Sequence, residues 1–164
     1  MGSTAALTPN SPAAATTSRT NKRRLGFLVV LLSGALLLAA CGMNADQQRT
    51  FDLVNQSRSD AGLPALQHDN TAKKKAQSWA EHLAAKGSLS HSNLASGMDD
   101  GWKAIGENVG YGSSIDHVHT QYMNSTGHRN NILNPDYTHL GTGVAQGNGR
   151  TYTCLLYTSP SPRD

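Results

Sequence analysis

Cysteine is almost absent from this chain: among 164 residues there are two, Cys41 and Cys154, which is too few for a disulfide-stapled scaffold. Aromatic residues are also sparse, at 5%, and charged residues make up 15%. Only one long apolar run occurs, Leu25 to Ala40, and it is shorter than the ~20 residues a membrane-spanning helix needs. No internal repeat is visible. Gly-x-Ser-x-Gly, His-Glu-x-x-His, a P-loop and a Gly-x-Gly-x-x-Gly run opening a helix are all missing, which removes the common hydrolase, zincin and nucleotide-binding signatures.

A strong basic surface is lacking as well, although the sequence pI is near 9.0. Arg19, Lys22, Arg23, Arg24 and Arg163 lie outside residues 42–153, as does Asp164. That stretch keeps nine basic and ten acidic side chains, a net charge of −1. The basicity belongs to the ends, and the electrostatic case for nucleic-acid binding fails. All seven histidines lie inside this stretch.

Residues 1–40 read as an address. A Ser/Thr/Ala-rich start carries no hydrophobic period, and Lys22-Arg23-Arg24 then precede the apolar run and Leu38-Ala39-Ala40-Cys41. A basic region, an apolar region and small residues at the end describe a secretory signal. The last four residues resemble a bacterial lipobox, which implies cleavage before Cys41 and lipidation of its sulfur; two acyl chains suffice for stable anchoring. The expected location is therefore extracytoplasmic, on a bacterial membrane or secreted. At the other end, residues 154–164 resemble one frame of a transposase-type sequencing adapter. On that reading the domain is residues 42–153, its last strand is cut short, and Cys154 carries no biology.

Within the body, Ala45–Asp60 reads as a helix with Phe51, Leu53 and Val54 on its apolar side, Asn44 or Asp46 as its cap, and Gly62 followed by Pro64 as its stop. Thr71–Lys86 is a second helix, with Ala72, Ala76, Trp79, Ala80, Leu83 and Ala84 on one face and Gly87 at its end. Residues 87–105 lack a period and read as a long loop. Glu107–Tyr111 is a short strand candidate. Ser113 or Ser114 caps a third helix bearing Ile115, Val118 and Tyr122, and a helical turn covers Thr126–Leu133. Thr138–Gln146 and Arg150–Thr153 form a hairpin around Gly147-Asn148-Gly149. Helices followed by strands indicate an α+β layered domain.

Among the histidines, His117 and His119 are two apart and would point about 200° apart on a helix, so they cannot share one ligand and read as surface residues. His82 lies at the boundary of an apolar face and reads as partly buried. Ser125 lies three residues before His128, but a nucleophile also needs an orienting acid and an oxyanion hole. His91, Glu107 and His128 differ from the rest: each sits in a loop or at an element end, beside small residues that let a ligand approach.

Taken in order, Asn55-x-x-Arg58, Gly62-Leu63, Ala76-x-x-x-Ala80, His91, Gly106-Glu107-Asn108, Gly127-His128-Arg129-x-Asn131-Ile132-Leu133 and Gly141-x-Gly143 resemble the bacterial SCP branch of the CAP superfamily (cysteine-rich secretory proteins, antigen 5 and pathogenesis-related 1). The resemblance covers roughly Asp46 to Thr153. It implies an α-β-α sandwich, with a small antiparallel sheet between helical layers and a shallow cavity that two histidines and two acids often line. In some members the histidines hold a divalent metal such as zinc. His91, Glu107 and His128 match three of those positions, and Ser125 falls where the second acid is expected, so the set is incomplete. Asn108 belongs to the same cleft.

Two imidazoles and water would make an open, exchangeable metal site. Glu107 would orient a histidine N–H or that water, or merely hold the loop through backbone amides. The expected function is a lipid-anchored, non-enzymatic binding module for a small ligand, a lipid, a cell-envelope component or a metal. The alternative is a metal-assisted hydrolase with Glu107 as general base.

Overall fold

A computed structural model describes residues 42–98 and 101–160. The signal segment, the lipobox cysteine Cys41 and residues 161–164 lie outside them. Among the described residues no helix is long and apolar enough to cross a membrane.

Helix α1 spans Ala45–Asp60, and its start is a full capping box: the Asn44 side chain accepts from the Gln47 N–H while the Gln47 side chain accepts from the Asn44 N–H. Its buried stripe is unusually polar, comprising Gln47, Thr50, Val54 and Arg58. The Arg58 guanidinium is essentially inaccessible and donates to the carbonyls of Pro64, Ile132, Asn134 and Tyr137, which ties α1 to the segments that follow it and to the far end of α4. Strand β1 is two residues long, Gln67–His68. Helix α2, Asn70–Lys86, is capped by Asp69 and ends at Gly87, whose φ of +73° suits glycine.

The loop after α2 is shorter than its composition suggests, because β2 begins at Trp102 and runs to Gly112. Helix α3 spans Ile115–Asn124 with Ser114 as its cap, and α4 spans Thr126–Ile132. Strands β3 (His139–Gly147) and β4 (Arg150–Pro160) form a hairpin. Asn148 and Gly149 both take positive φ at its turn, as a two-residue type I′ connection requires.

The sheet order is β1-β3-β4-β2. It is antiparallel apart from the short β1, which runs parallel to β3, so the sheet is mixed where the resemblance implied an antiparallel one. Strand β4 does not stop at Thr153. Residues 154–160 continue it between β3 and β2, and Cys154, Leu155, Leu156 and Tyr157 are buried. A continuous apolar run is what a strand covered on both faces needs.

Helix α2 covers one face. Its small ridge Ala72, Ala76, Ala80 and Ala84 packs with Leu83 against Val109, Tyr152, Cys154 and Leu156. The backbones nearly touch here: a Cβ on Gly141 would lie 2.2 Å from the Ala72 carbonyl carbon, and one on Gly143 would lie 2.1 Å from the Ala76 oxygen. The Gln77 side-chain amide both donates to and accepts from the Val144 backbone, closing the β3 edge where β1 has ended. Helices α1, α3 and α4 cover the other face, with Val54, Val118, Tyr122 and Ile132 against Leu140, Leu155 and Tyr157. The result is an α+β sandwich of four helices on a four-stranded sheet.

Candidate functional site

The site forms around β2, the strand at the end of the sheet, because consecutive residues of a strand face opposite ways. Glu107 points to the α2 side and Asn108 to the α3/α4 side, and each pins a different wall. The Glu107 carboxylate holds the loop after α2: Oε1 accepts from the Ser92 N–H (3.0 Å) and sits 2.7 Å from His91 Nδ1. Its Oε2 accepts from the Cys154 thiol at 3.6 Å. On the other side, Asn108 Nδ2 donates to the His128 carbonyl (3.0 Å). Its Oδ1 accepts from Asn131 Nδ2 (2.9 Å), which also reaches the Glu107 carbonyl. Two adjacent residues of one strand thus bring the His91 loop and the His128 helix to a common edge.

The two imidazoles are held alike. A carboxylate can only accept, so His91 Nδ1 carries a proton toward Glu107, and in the neutral ring Nε2 then keeps a lone pair. His128 Nδ1 lies 2.9 Å from Ser125 Oγ. Neither Nε2 atom has a hydrogen-bond partner among the described residues. The His91 side chain is 65% exposed while that of Glu107 is 1% exposed. Glu107 therefore reaches the cleft through His91, with both of its oxygens engaged by the protein.

Burial depresses the His128 pKa first, and the charge of a protonated His91 lowers it further, so the two rings sense each other electrostatically. Tyr122 backs His128, with ring centroids 5.0 Å apart. Its hydroxyl bonds Thr153 Oγ1 at 2.8 Å, and burial pushes its pKa above the usual phenol range. Burial also raises the Cys154 thiol, and the neighbouring Glu107 charge adds to this, so the thiol stays protonated as a donor.

His91, Glu107, Asn108, Ser125 and His128 thus gather at one edge, as two bonded pairs and not one closed ring. No three His, Cys, Asp or Glu side chains form a metal cage among the described residues. Ser92 and Cys154 escaped the sequence reading: a backbone N–H leaves no residue-type signal, and Cys154 was assigned to the foreign tail. Two histidines sit differently from expectation. His82 is exposed and stacks on Trp79 (4.6 Å). His119 is half-buried against α1, its Nε2 2.8 Å from Ser57 Oγ, and burial lowers its pKa. His117 is exposed, as read.

The model of the CAP, cysteine-rich secretory protein family matches residues 51–158. The chain belongs to the CAP family. Its CAP domain is 32% identical over 117 residues to YkwD of Bacillus subtilis, covering 66% of this chain and 46% of that protein. The chain thus spans less than half the length of that curated relative, and 31% of the length of a second, the Bacillus subtilis membrane protein YlbC. Among solved CAP structures, an extracellular SCP-domain protein from Bacillus anthracis superposes with a TM-score of 0.62 at 27% identity, over 70% of this chain and 40% of that one. NaASP2 with Zn2+ superposes at 0.55 and 15% identity, over 72% of this chain and 82% of that one, and shares the fold.

Proposed function

We propose that this CAP domain is an extracytoplasmic binding module, tethered through a lipid on Cys41, whose edge cleft presents two imidazole Nε2 atoms to a divalent metal or a small envelope ligand. One observation carries this reading. Both Nδ1 atoms are engaged by protein groups while neither Nε2 has a partner among the described residues, and a neutral ring whose Nδ1 donates keeps its Nε2 lone pair for a metal, the arrangement that second-shell partners impose on ligating histidines. The donor set fits an open, exchangeable two-nitrogen site and not a four-ligand cage. A bound divalent ion there would polarise whatever oxygen ligand completes its coordination. His91 and His128 would hold it, with Glu107 and Ser125 orienting the rings.

The geometry favours binding over hydrolysis because Glu107 is buried with both oxygens taken, which suits a positioning group better than a general base. An export route agrees with the extracellular relative from Bacillus anthracis and with the membrane protein YlbC. Zinc titrated into the purified chain by calorimetry should give a saturable heat that the His91→Ala, His128→Ala double variant loses. Identical titrations would end the metal reading. Mass spectrometry of Cys41 from membranes of an expressing bacterium tests the tether: an unmodified thiol, with no protein in the membrane fraction, would remove it.

A further inference from the structure

Between the outer flank of α2 and the loop after it lies a groove of about 460 Å³, within the size range of small-molecule sites. Its walls include Lys74, Lys75, Ser78 and Trp79 from the helix and Ser92 and Asn93 from the loop. Neither cleft histidine lines it. Among the described residues, the two lysines are the only charged side chains in the lining.

The polar atoms are arranged with a surplus of positive charge and donors. The Lys75 ammonium binds the carbonyls of Asn93 (2.6 Å) and Ser96, which straps the loop to the helix and gives the ammonium no ionic partner among the described residues. Lys74 is exposed and has no ionic partner among the described residues. Ser92 Oγ is buried without a hydrogen bond. Trp79 spends its indole N–H on the Ser90 carbonyl and stacks on His82, so it adds an apolar wall and no acceptor. A lining that holds ammonium and hydroxyl donors, and no carboxylate among the described residues, matches a phosphate group, whose several oxygens accept and whose charge is negative.

We propose that this groove is a phosphate-binding site, with room beyond the phosphate for the group esterified to it. Lys74 supplies the principal charge, Ser78 a hydroxyl, and Trp79 packs against the remainder of the ligand. The site is independent of the metal reading, since its residues and those of the histidine cleft can be altered separately. Two sources share this chemistry, a free phosphate compound and a phospholipid head group. The latter has a local argument: the carbonyl of Gly42, one residue from Cys41, is bound by Lys73 in the first turns of the same helix.

The test uses the full chain in non-ionic detergent with Trp102→Phe, leaving Trp79 as the sole tryptophan reporter. Inorganic phosphate is titrated against chloride at constant ionic strength. The expected result is a saturable Trp79 fluorescence change, with apparent affinity at least fivefold weaker in Lys74→Gln and reduced in Ser78→Ala, both on exposed positions that should leave the fold intact. A non-saturating change, an equal response to chloride, or unchanged affinity in both variants would overturn the proposal. Asp99 and Asp100 follow the groove loop in sequence, so an Asp99→Asn, Asp100→Asn variant is titrated in parallel. Binding seen only in that variant would mean that the lysines serve the chain's own carboxylates, and would also overturn it. Vesicles of phosphatidylglycerol against phosphatidylcholine, beside glycerol phosphate in solution, separate the two sources: a Lys74-dependent response to the anionic vesicles alone assigns the head group, and one to soluble glycerol phosphate assigns the free compound.

Discussion

Ser125 opens α4 yet its side chain does not cap that helix. Its hydroxyl goes to the ring of His128, three residues on, instead of to a backbone N–H, and so forgoes a stabilisation of about 1 kcal/mol. Ser125→Ala should therefore change stability by well under 1 kcal/mol in denaturant unfolding, while weakening the zinc binding proposed above by roughly 10- to 100-fold, as loss of an orienting partner does. A loss of stability as large as that of a broken cap would show that the hydroxyl serves the helix after all. His119 gives a second residue-scale expectation. Its folded pKa is lowered by burial, so the native state binds fewer protons than the unfolded chain, and stability falls as pH drops below the unfolded value of about 6.5. His119→Gln should flatten the slope of unfolding free energy against pH between 7 and 5. At this scale the sequence singled out His91, Glu107 and His128 from their small neighbours and their order, and the fold brings them to the same edge through Glu107 and Asn108 of β2. It misplaced His82 and His119 because each borders a helix face, where only the packed neighbour decides: Ser57 of α1 covers the second, and the first stacks only on Trp79 of its own helix and stays exposed.

At the scale of elements, α1 and α2 were legible for different reasons. The α2 ridge of alanines shows the helical period directly. The buried stripe of α1 is mostly polar, and its ends betray it better: Asn44 or Asp46 at the start, Gly62 and Pro64 beyond its stop. What that stripe does was not legible, since the four carbonyls that receive Arg58 come from other segments. Arg58→Leu should destabilise the domain by about 3 kcal/mol or more in urea unfolding, as buried acceptors lose a charged donor. The glycines of β3 make the complementary case. Gly143→Ala places a methyl group against the α2 backbone, which cannot yield as a side chain would, and should cost about 3 kcal/mol or more. Ala76→Gly should not rescue it, because the clash is with backbone atoms. Strand β1 escaped the reading because two residues carry no period, and the start of β2 escaped because Trp102 and Lys103 are exposed, so alternation fails there.

On the scale of the whole molecule, β4 is the element on which the sheet depends. The reading ended it at Thr153 because the nucleotide resemblance outweighed the amino-acid pattern, although Cys154 to Tyr157 has the unbroken apolarity of a strand covered twice. A chain ending at Thr153 should lack cooperative unfolding and near-ultraviolet dichroism, since both β2 and the Glu107 carboxylate lose their partners in residues 154–160. A native-like thermal transition in that chain would show that the helices and the shortened hairpin suffice.

That strand order also bears on biogenesis. Strands β2 and β3 never pair with each other; the segment synthesised after both must slide between them before either is satisfied. A nascent chain that has not yet reached β4 therefore cannot complete the sheet, and closure of the fold waits for the last strand.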